Sequence, residues 1–454
     1  MLFLDGTSRT GTRVAVLPYA LPSLILAPLA VTFYVFVPKH YADLGTFSLG
    51  ALGAVVFISR LWDAVTDPLI GILSDATRTS AGRRKPWLAG AVVPLCLSFI
   101  ALFAVPVVPA EWHLAWFTVW SFLFFLFWTA YAIPYEALGQ ELVEDYDGRT
   151  TLFAFRDGAF LLGTLLAAII PLGSEIVLAG FAPWARWCFL AAGYAFLLLS
   201  LTALLLAQVP QGSNRPLAPG VGVRKSLRST LGNPHFRTLF SAYLVASFGG
   251  ALPATLFLFY VESVLESSNG PAYLALYFAI GIASLPLWTR VARRWGKKQA
   301  WLAALSLNTT GFAGVFFLTA GQEALYAILI SVSALGYGAA LALPSSMQAD
   351  IIDSEELRTG LRKEGEFLGV WSLAKKSVAA LGAGAALWLL GTVGFESGSQ
   401  TQTPKALFAL RALYCLVPCL CSFAAMYLIR NYTLGREEHA SITAALKTRR
   451  TEGR

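Results

Sequence analysis

The chain has 454 residues, of which 56% are hydrophobic and only 13% charged. Soluble domains use about 45–50% apolar and about 25% charged residues, so this composition excludes an ordinary water-soluble protein and points to the membrane. The net charge of +8 does not point to nucleic acid, because only four of the 34 Lys and Arg (Lys39, Arg186, Lys405 and Arg411) fall in loops on one side of the predicted spans. Such asymmetry places the basic side, and with it both termini, in the cytoplasm.

A membrane-crossing helix needs about 20 mostly apolar residues. Twelve such runs are predicted, at 13–38, 47–75, 86–109, 113–139, 150–178, 183–209, 236–264, 270–292, 299–320, 323–349, 366–395 and 405–432. The first run is longer than the core of a signal peptide and no A-x-A-like cleavage site follows it, so it is expected to be retained. Between the sixth and seventh runs, "PQGSNRPLAPGVGVRKSLRSTLGNPH" is polar, basic and rich in Pro and Gly. It reads as a cytoplasmic linker, partly amphipathic around "RKSLRSTL". The expectation is therefore an all-α integral membrane protein of twelve transmembrane helices in two six-helix halves: 1–209, a linker at 210–235, 236–432, and a soluble cytoplasmic tail at 433–454.

The halves echo each other. "PLIGILSDATRTSAGRRKPWLAG" is answered by "PLWTRVARRWGKKQAWLAA", and "IPYEALGQELVEDYDGRT" by "LPSSMQADIIDSEELRT". Trp87 and Trp301, Pro134 and Pro344, and Arg149 and Arg358 recur at a nearly constant offset. Parallel repeats of this kind predict a binding site near the midplane between the halves and alternating access by rocking.

Charged residues inside the apolar runs carry the chemistry. Asp63 and Asp67 stand four apart, so on a helix their carboxylates share a face, with Arg60 at its edge. An ion-pair network that only fixes packing is one reading. Acids within the membrane more commonly line ion pathways, and one arginine neutralises only one of two carboxylates. The remaining charge can be met by a hard monovalent cation or by a proton, since neighbouring carboxylates resist ionising together. Gly71, Asp75, Arg83, Arg84 and Lys85 occupy a cytoplasmic helix end and turn, where charge pairs can form in one conformer and break in another. Arg156 lies one or two turns inside the fifth run. Lys375 and Lys376 lie deep in the eleventh and, about 100° apart on a helix, cannot both face one cavity. The five cysteines all fall in predicted spans, the four histidines are scattered, and there is no phosphate-binding G-x-x-x-x-G-K-[ST] motif, so neither a metal centre nor ATP-driven pumping is expected.

"RLWDAVTDP" followed by "SAGRRKPW", with "IPYEALGQEL", "GRTTLFAFR", "ADIID" and "TGLRKEG", resembles the glycoside-pentoside-hexuronide:cation symporters, the melibiose permease relatives of the major facilitator superfamily. The resemblance covers nearly the whole chain and implies the major facilitator fold and cation-coupled symport of a small solute, most simply a sugar or glycoside. It implies that Asp63 and Asp67 bind Na⁺ or H⁺ with Thr66 and Thr129 assisting, and that Arg156 and Lys376 face the substrate, with Glu136 and Tyr131 beside them. The family's sugar-holding aspartates align with Ala27 and Ala132, and its cavity tryptophans with Glu136 and Leu341. Sodium-coupled lysophospholipid transporters resemble the chain at "DAVTDP" and lack the same sugar ligands, so an amphiphilic or anionic substrate is the alternative. A membrane enzyme acting on lipid and a non-transporting receptor or scaffold are the readings from other classes. No cofactor beyond the coupling ion is expected, nor a nucleic-acid partner; a monomer in a bacterial inner membrane is.

Overall fold

A computed structural model describes residues 3–4, 14–142, 146–210, 230–359, 364–399 and 401–452, and these are almost entirely helical. A two-residue ladder pairs β1 (Phe3–Leu4) antiparallel with β2 (Val14–Ala15). The helices of the first half are α1 (Val16–Asp43), α2 (Leu49–Ala76), α3 (Lys85–Phe103), α4 (His113–Leu142), α5 (Tyr146–Val177) and α6 (Pro183–Gln208). Those of the second are α7 (Pro234–Ser263), α8 (Gly270–Trp295), α9 (Lys297–Val315), α10 (Glu323–Thr359), α11 (Glu364–Thr392), α12 (Pro404–Ile429) and α13 (Arg436–Glu452). Among the described residues, eleven helices are long and apolar enough to span a bilayer. The remaining candidate, α9, has 19 residues and opens on Lys297, Lys298 and Gln299, so it falls short in apolarity rather than length.

The helix starts follow from local chemistry. Ser48, Asn233 and Thr403 each accept a first-turn N–H, from Ala51, Phe236 and Ala406 at 3.1–3.2 Å. In the last two cases a proline follows the cap, where its missing N–H costs nothing. Two helices carry a π-turn, Thr32–Phe36 in α1 and Ala412–Leu416 in α12.

Contacts divide the chain into two units, the first being Met1–Ala218 with Leu387–Gln402 and the second Pro219–Ala386 with Thr403–Arg454. The division falls in the expected linker, of which 211–229 lies outside the described residues, as do the first six residues of the "RKSLRSTL" segment. The end of α11 groups with the first unit, where a Cβ on Gly391 would lie 2.8 Å from the backbone N of Gly50. Sequence halves do not anticipate that grouping.

The first unit's core is aromatic, with Phe33 stacked on Phe124 at 5.1 Å and Phe103 on Trp187 at 5.3 Å. The second unit buries Phe236, Trp301, Met347, Phe367 and Trp371 together. The tail expected to be soluble forms α13, and its Ile442 and Leu446 join that cluster. Their apolar area is removed from water, so α13 is part of the second unit.

Close packing of α9 on α10 depends on small residues. A Cβ on Gly311 would stand 2.6 Å from the carbonyl of Leu329 and 2.7 Å from the Cβ of Ser333, whereas one on Gly90 meets nothing within 4 Å. Asn308 donates to Ser333 at 2.9 Å across the same contact. Gly311→Val is expected to destabilise by roughly 1–3 kcal/mol through overpacking, read as a lower unfolding temperature of the purified protein, while Gly90→Ala does not lower it. Equal behaviour of the two variants would contradict the packing assigned to Gly311.

Candidate cation site and charge networks

Asp63 is fully buried in α2, and Asp67, one turn on, is half-buried. The Thr129 hydroxyl of α4 lies 2.6 Å from Asp63 Oδ1 and 3.0 Å from Asp67 Oδ1. It has one proton and bridges two carboxylates. Arg60 donates from Nη1 to Asp63 Oδ2 at 3.2 Å. Its guanidinium carbon sits 4.7 Å from the ring centroid of Tyr34 and 4.4 Å from that of Phe125. The aromatic faces supply attraction that water would otherwise supply to a buried cation. Thr66 turns its hydroxyl back on the Asp63 carbonyl at 3.1 Å.

Two backbone features accompany this site. Pro68 has no N–H, so the carbonyl four residues earlier lacks its helical donor. The π-turn of α1 contains Tyr34, and such turns favour functional positions. Two carboxylates share one hydroxyl here, and Arg60 reaches one of them. Oxygen donors of this kind suit a small hard cation.

Arg156 in α5 donates to Asp157 Oδ1 at 2.9 and 2.7 Å and lies 3.8 Å from Glu136 Oε1. Its guanidinium lies over Phe153 at 4.6 Å. Asp157 is missing from the sequence-based set, although an acid directly after Arg156 is the signal that could have found it. Tyr131 is buried with its hydroxyl 2.8 Å from that of Thr202 in α6. It stacks on Tyr135 at 6.0 Å, which stacks on Tyr19 at 4.9 Å. Ala27, aligned with a sugar-binding aspartate, is fully buried against Gly163. In the second unit, Lys375 is exposed and Lys376 half-buried on α11.

The turn before α3 is a charge network. Arg83 and Arg84, both buried, donate to Glu141 Oε1 of α4 at 2.9 Å each, and Arg84 also reaches Ser74 at 2.7 Å and Asp75. Lys85 instead donates to the Leu206 carbonyl at 2.8 Å, and a Cβ on Gly71 would meet nothing within 4 Å. Glu141 joins both arginines and was not singled out in the sequence. It recurs as Asp350, at the same offset as Arg149 and Arg358, and Asp350 takes Lys297 at 2.6 Å. Each unit thus carries a basic residue at the start of its third helix paired with an acid late in its fourth.

Residues 18–436 match the family described as MFS/sugar transport protein. The chain is 25% identical to a putative glycoside/cation symporter of Escherichia coli, over 86% of this chain and 85% of that protein. It is 22% identical to the human sodium-dependent lysophosphatidylcholine symporter 1, over 90% of this chain and 81% of that one. Among solved structures, a D-xylose-proton symporter superposes with a TM-score of 0.64 at 16% identity, covering 91% of this chain and 96% of that chain.

Removing one member of a buried charge network leaves the others uncompensated. Glu141→Gln and Arg84→Gln are each expected to destabilise by roughly 2–4 kcal/mol, with a coupling between them of roughly 1–3 kcal/mol. Unfolding of the two single variants and the double variant measures it, and additive effects would dissolve the network.

Proposed function

The chain belongs to the MFS/sugar transport protein family, and from that premise we propose that it couples uphill entry of a small solute to a cation bound at Asp63 and Asp67. The observation that carries this reading is the Thr129 hydroxyl within hydrogen-bonding distance of both carboxylates, with Arg60 on one of them. Two carboxylates held this close resist ionising together, and a bound Na⁺ or H⁺ relieves that repulsion and lowers the cost of closing the site away from water. Alternating access then favours two states, empty and fully loaded. Thr66 assists through its backbone contact with Asp63.

The substrate we propose first is a sugar or glycoside. Arg156, Asp157 and Glu136 combine a donor fork with acceptor carboxylates, the mixture that hydroxyl groups require. Because two acids already face Arg156, a neutral polyhydroxyl solute meets the cluster without adding charge. Lys376 contributes a second donor and Tyr131 shapes the wall through its neighbours. The buried Ala27 favours a second reading, an amphiphilic or anionic substrate such as a lysophospholipid, with Lys376 meeting its negative group. The Asp75, Arg83, Arg84 and Lys85 region, hinged near Gly71, acts as the cytoplasmic gate. The protein works as a monomer in a bacterial inner membrane with both termini in the cytoplasm, as the loop charges favour.

In reconstituted vesicles, Asp63→Asn and Asp67→Asn are expected to abolish uptake driven by an imposed ion gradient, and Thr129→Val to weaken cation binding by about tenfold, as loss of a hydrogen bond to a charged group would. Full cation dependence in both aspartate variants would reject the site. Labelled glycosides and lysophospholipids separate the two substrate readings. Product formation would instead indicate an enzyme, and neither transport nor product a scaffold. Substrate must also raise cation affinity by the factor by which cation raises substrate affinity; calorimetry in both orders of addition checks this.

A further inference from the structure

Tyr19, in the first turn of α1, is fully buried although it carries a hydroxyl. Its ring stacks on Tyr135 of α4 at 4.9 Å and meets Phe153 of α5 edge-on at 6.5 Å. The two tyrosines exchange bonds with each other's backbone. The Tyr19 hydroxyl donates to the Tyr135 carbonyl at 3.3 Å, and the Tyr135 hydroxyl donates to the Tyr19 carbonyl at 2.6 Å. Side chains of α4 and α5 thus fix a phenol of α1. Room for it comes from Gly139, one turn after Tyr135, where a Cβ would lie 2.0 Å from the Tyr19 hydroxyl oxygen and 2.5 Å from the ring carbon that carries it. Any side chain at 139 drives that hydroxyl from its place.

The Tyr19 hydroxyl lies within hydrogen-bonding reach of Arg156. It has one proton, given to the Tyr135 carbonyl, and its lone pairs are left to accept a guanidinium N–H. Both residues also touch Phe153, Tyr19 against its edge and Arg156 over its face at 4.6 Å. The Arg156 side chain is 19% exposed, whereas those of its two acids, Asp157 and Glu136, are each 61% exposed. The acids are therefore the open side of the cluster, and Tyr19 with Phe153 the closed side. An arginine held only by open carboxylates keeps much of its rotamer freedom and loses it when a solute binds. A buried phenol that is itself immobile removes that loss in advance.

We propose that Tyr19 is a positioning residue for the substrate site: its hydroxyl fixes the Arg156 guanidinium from behind, and Gly139 supplies the space that lets it do so. Tyr19 acts through Arg156, so its role rests on the reading of Arg156 as a donor to the solute. Neither Tyr19 nor Gly139 belongs to the Asp63, Asp67 and Thr129 cluster. Loss of the Tyr19 hydroxyl is therefore felt by the solute and not by the coupling ion.

The first measurement needs no solute. Full-length protein in detergent is treated with phenylglyoxal, which modifies guanidinium groups, and the rate at Arg156 is followed by mass spectrometry of its peptide. Tyr19→Phe, which keeps the ring and its stacking, is expected to raise that rate about tenfold, as loss of a hydrogen bond to a charged group would. Gly139→Ala should raise it equally and the double variant no further, because both changes remove the same contact. Arg83 and Arg84, buried in the same unit, should react as before. A rise shared by those two would mark a general loosening of the fold and overturn the proposal, as would an unchanged rate at Arg156 in Tyr19→Phe. The second measurement follows uptake of radiolabelled methyl β-glucoside by reconstituted vesicles, where Tyr19→Phe should raise the KM about tenfold and leave the maximal rate and the cation dependence as they were. An unchanged KM would overturn the role in substrate binding. Failure of the unaltered protein to take up the glucoside would count against the glycoside reading instead, and the rates at Arg156 would still decide whether Tyr19 fixes it.

Discussion

Two carboxylates one helical turn apart in α2 share a single hydroxyl proton from Thr129 and a single guanidinium from Arg60. A charge at the bilayer centre costs roughly 3 kcal/mol or more, and these groups offset part of that cost for one another. Arg60 is met on three sides, by Asp63 and by the rings of Tyr34 and Phe125. Asp67 is more open than Asp63. The packing of α4 on α2 supports the site directly, since Thr129 and Phe125 share a face of α4 at a spacing of four.

The paired charges at the helix ends work differently. Buried ion pairs are weak contributors to net stability, because desolvation offsets most of their attraction. They are strong discriminators between conformations, because breaking one exposes an uncompensated charge. The two units build the same device unequally. Glu141 takes two arginines, whereas Asp350 takes Lys297 and, at 3.5 Å, His439 of α13, which also approaches Asp353 at 3.2 Å. The second unit's pair thus includes a contribution from the end of the chain.

Helical spans are legible because a bilayer demands long apolar runs, and the Asp63–Asp67 pair because charge there is conspicuous. α9 stands among the twelve apolar runs, at 299–320, although its polar start weakens the signal. Glu141 and Asp157 were harder to see: each stands among other charges near a span end, where most acids are merely solvated, and only the folded chain shows which ones meet arginine. The docking of α13 was hidden because Ile442 and Leu446 are isolated in a charged segment. Their burial depends on a surface assembled from α7, α9, α10 and α11, which no local pattern contains. The grouping of Leu387–Gln402 with the first unit has the same origin, a close approach at Gly391 that sequence distance conceals.

The wide turn at Thr32–Phe36 places one extra residue in a loop of α1's hydrogen-bond ladder, directly beside Arg60. The ring that covers one face of the Arg60 guanidinium is therefore carried by a stretch of α1 whose backbone pairing departs from the α-helical pattern, so the arginine's surroundings depend on how α1 is wound as well as on α2 and α4.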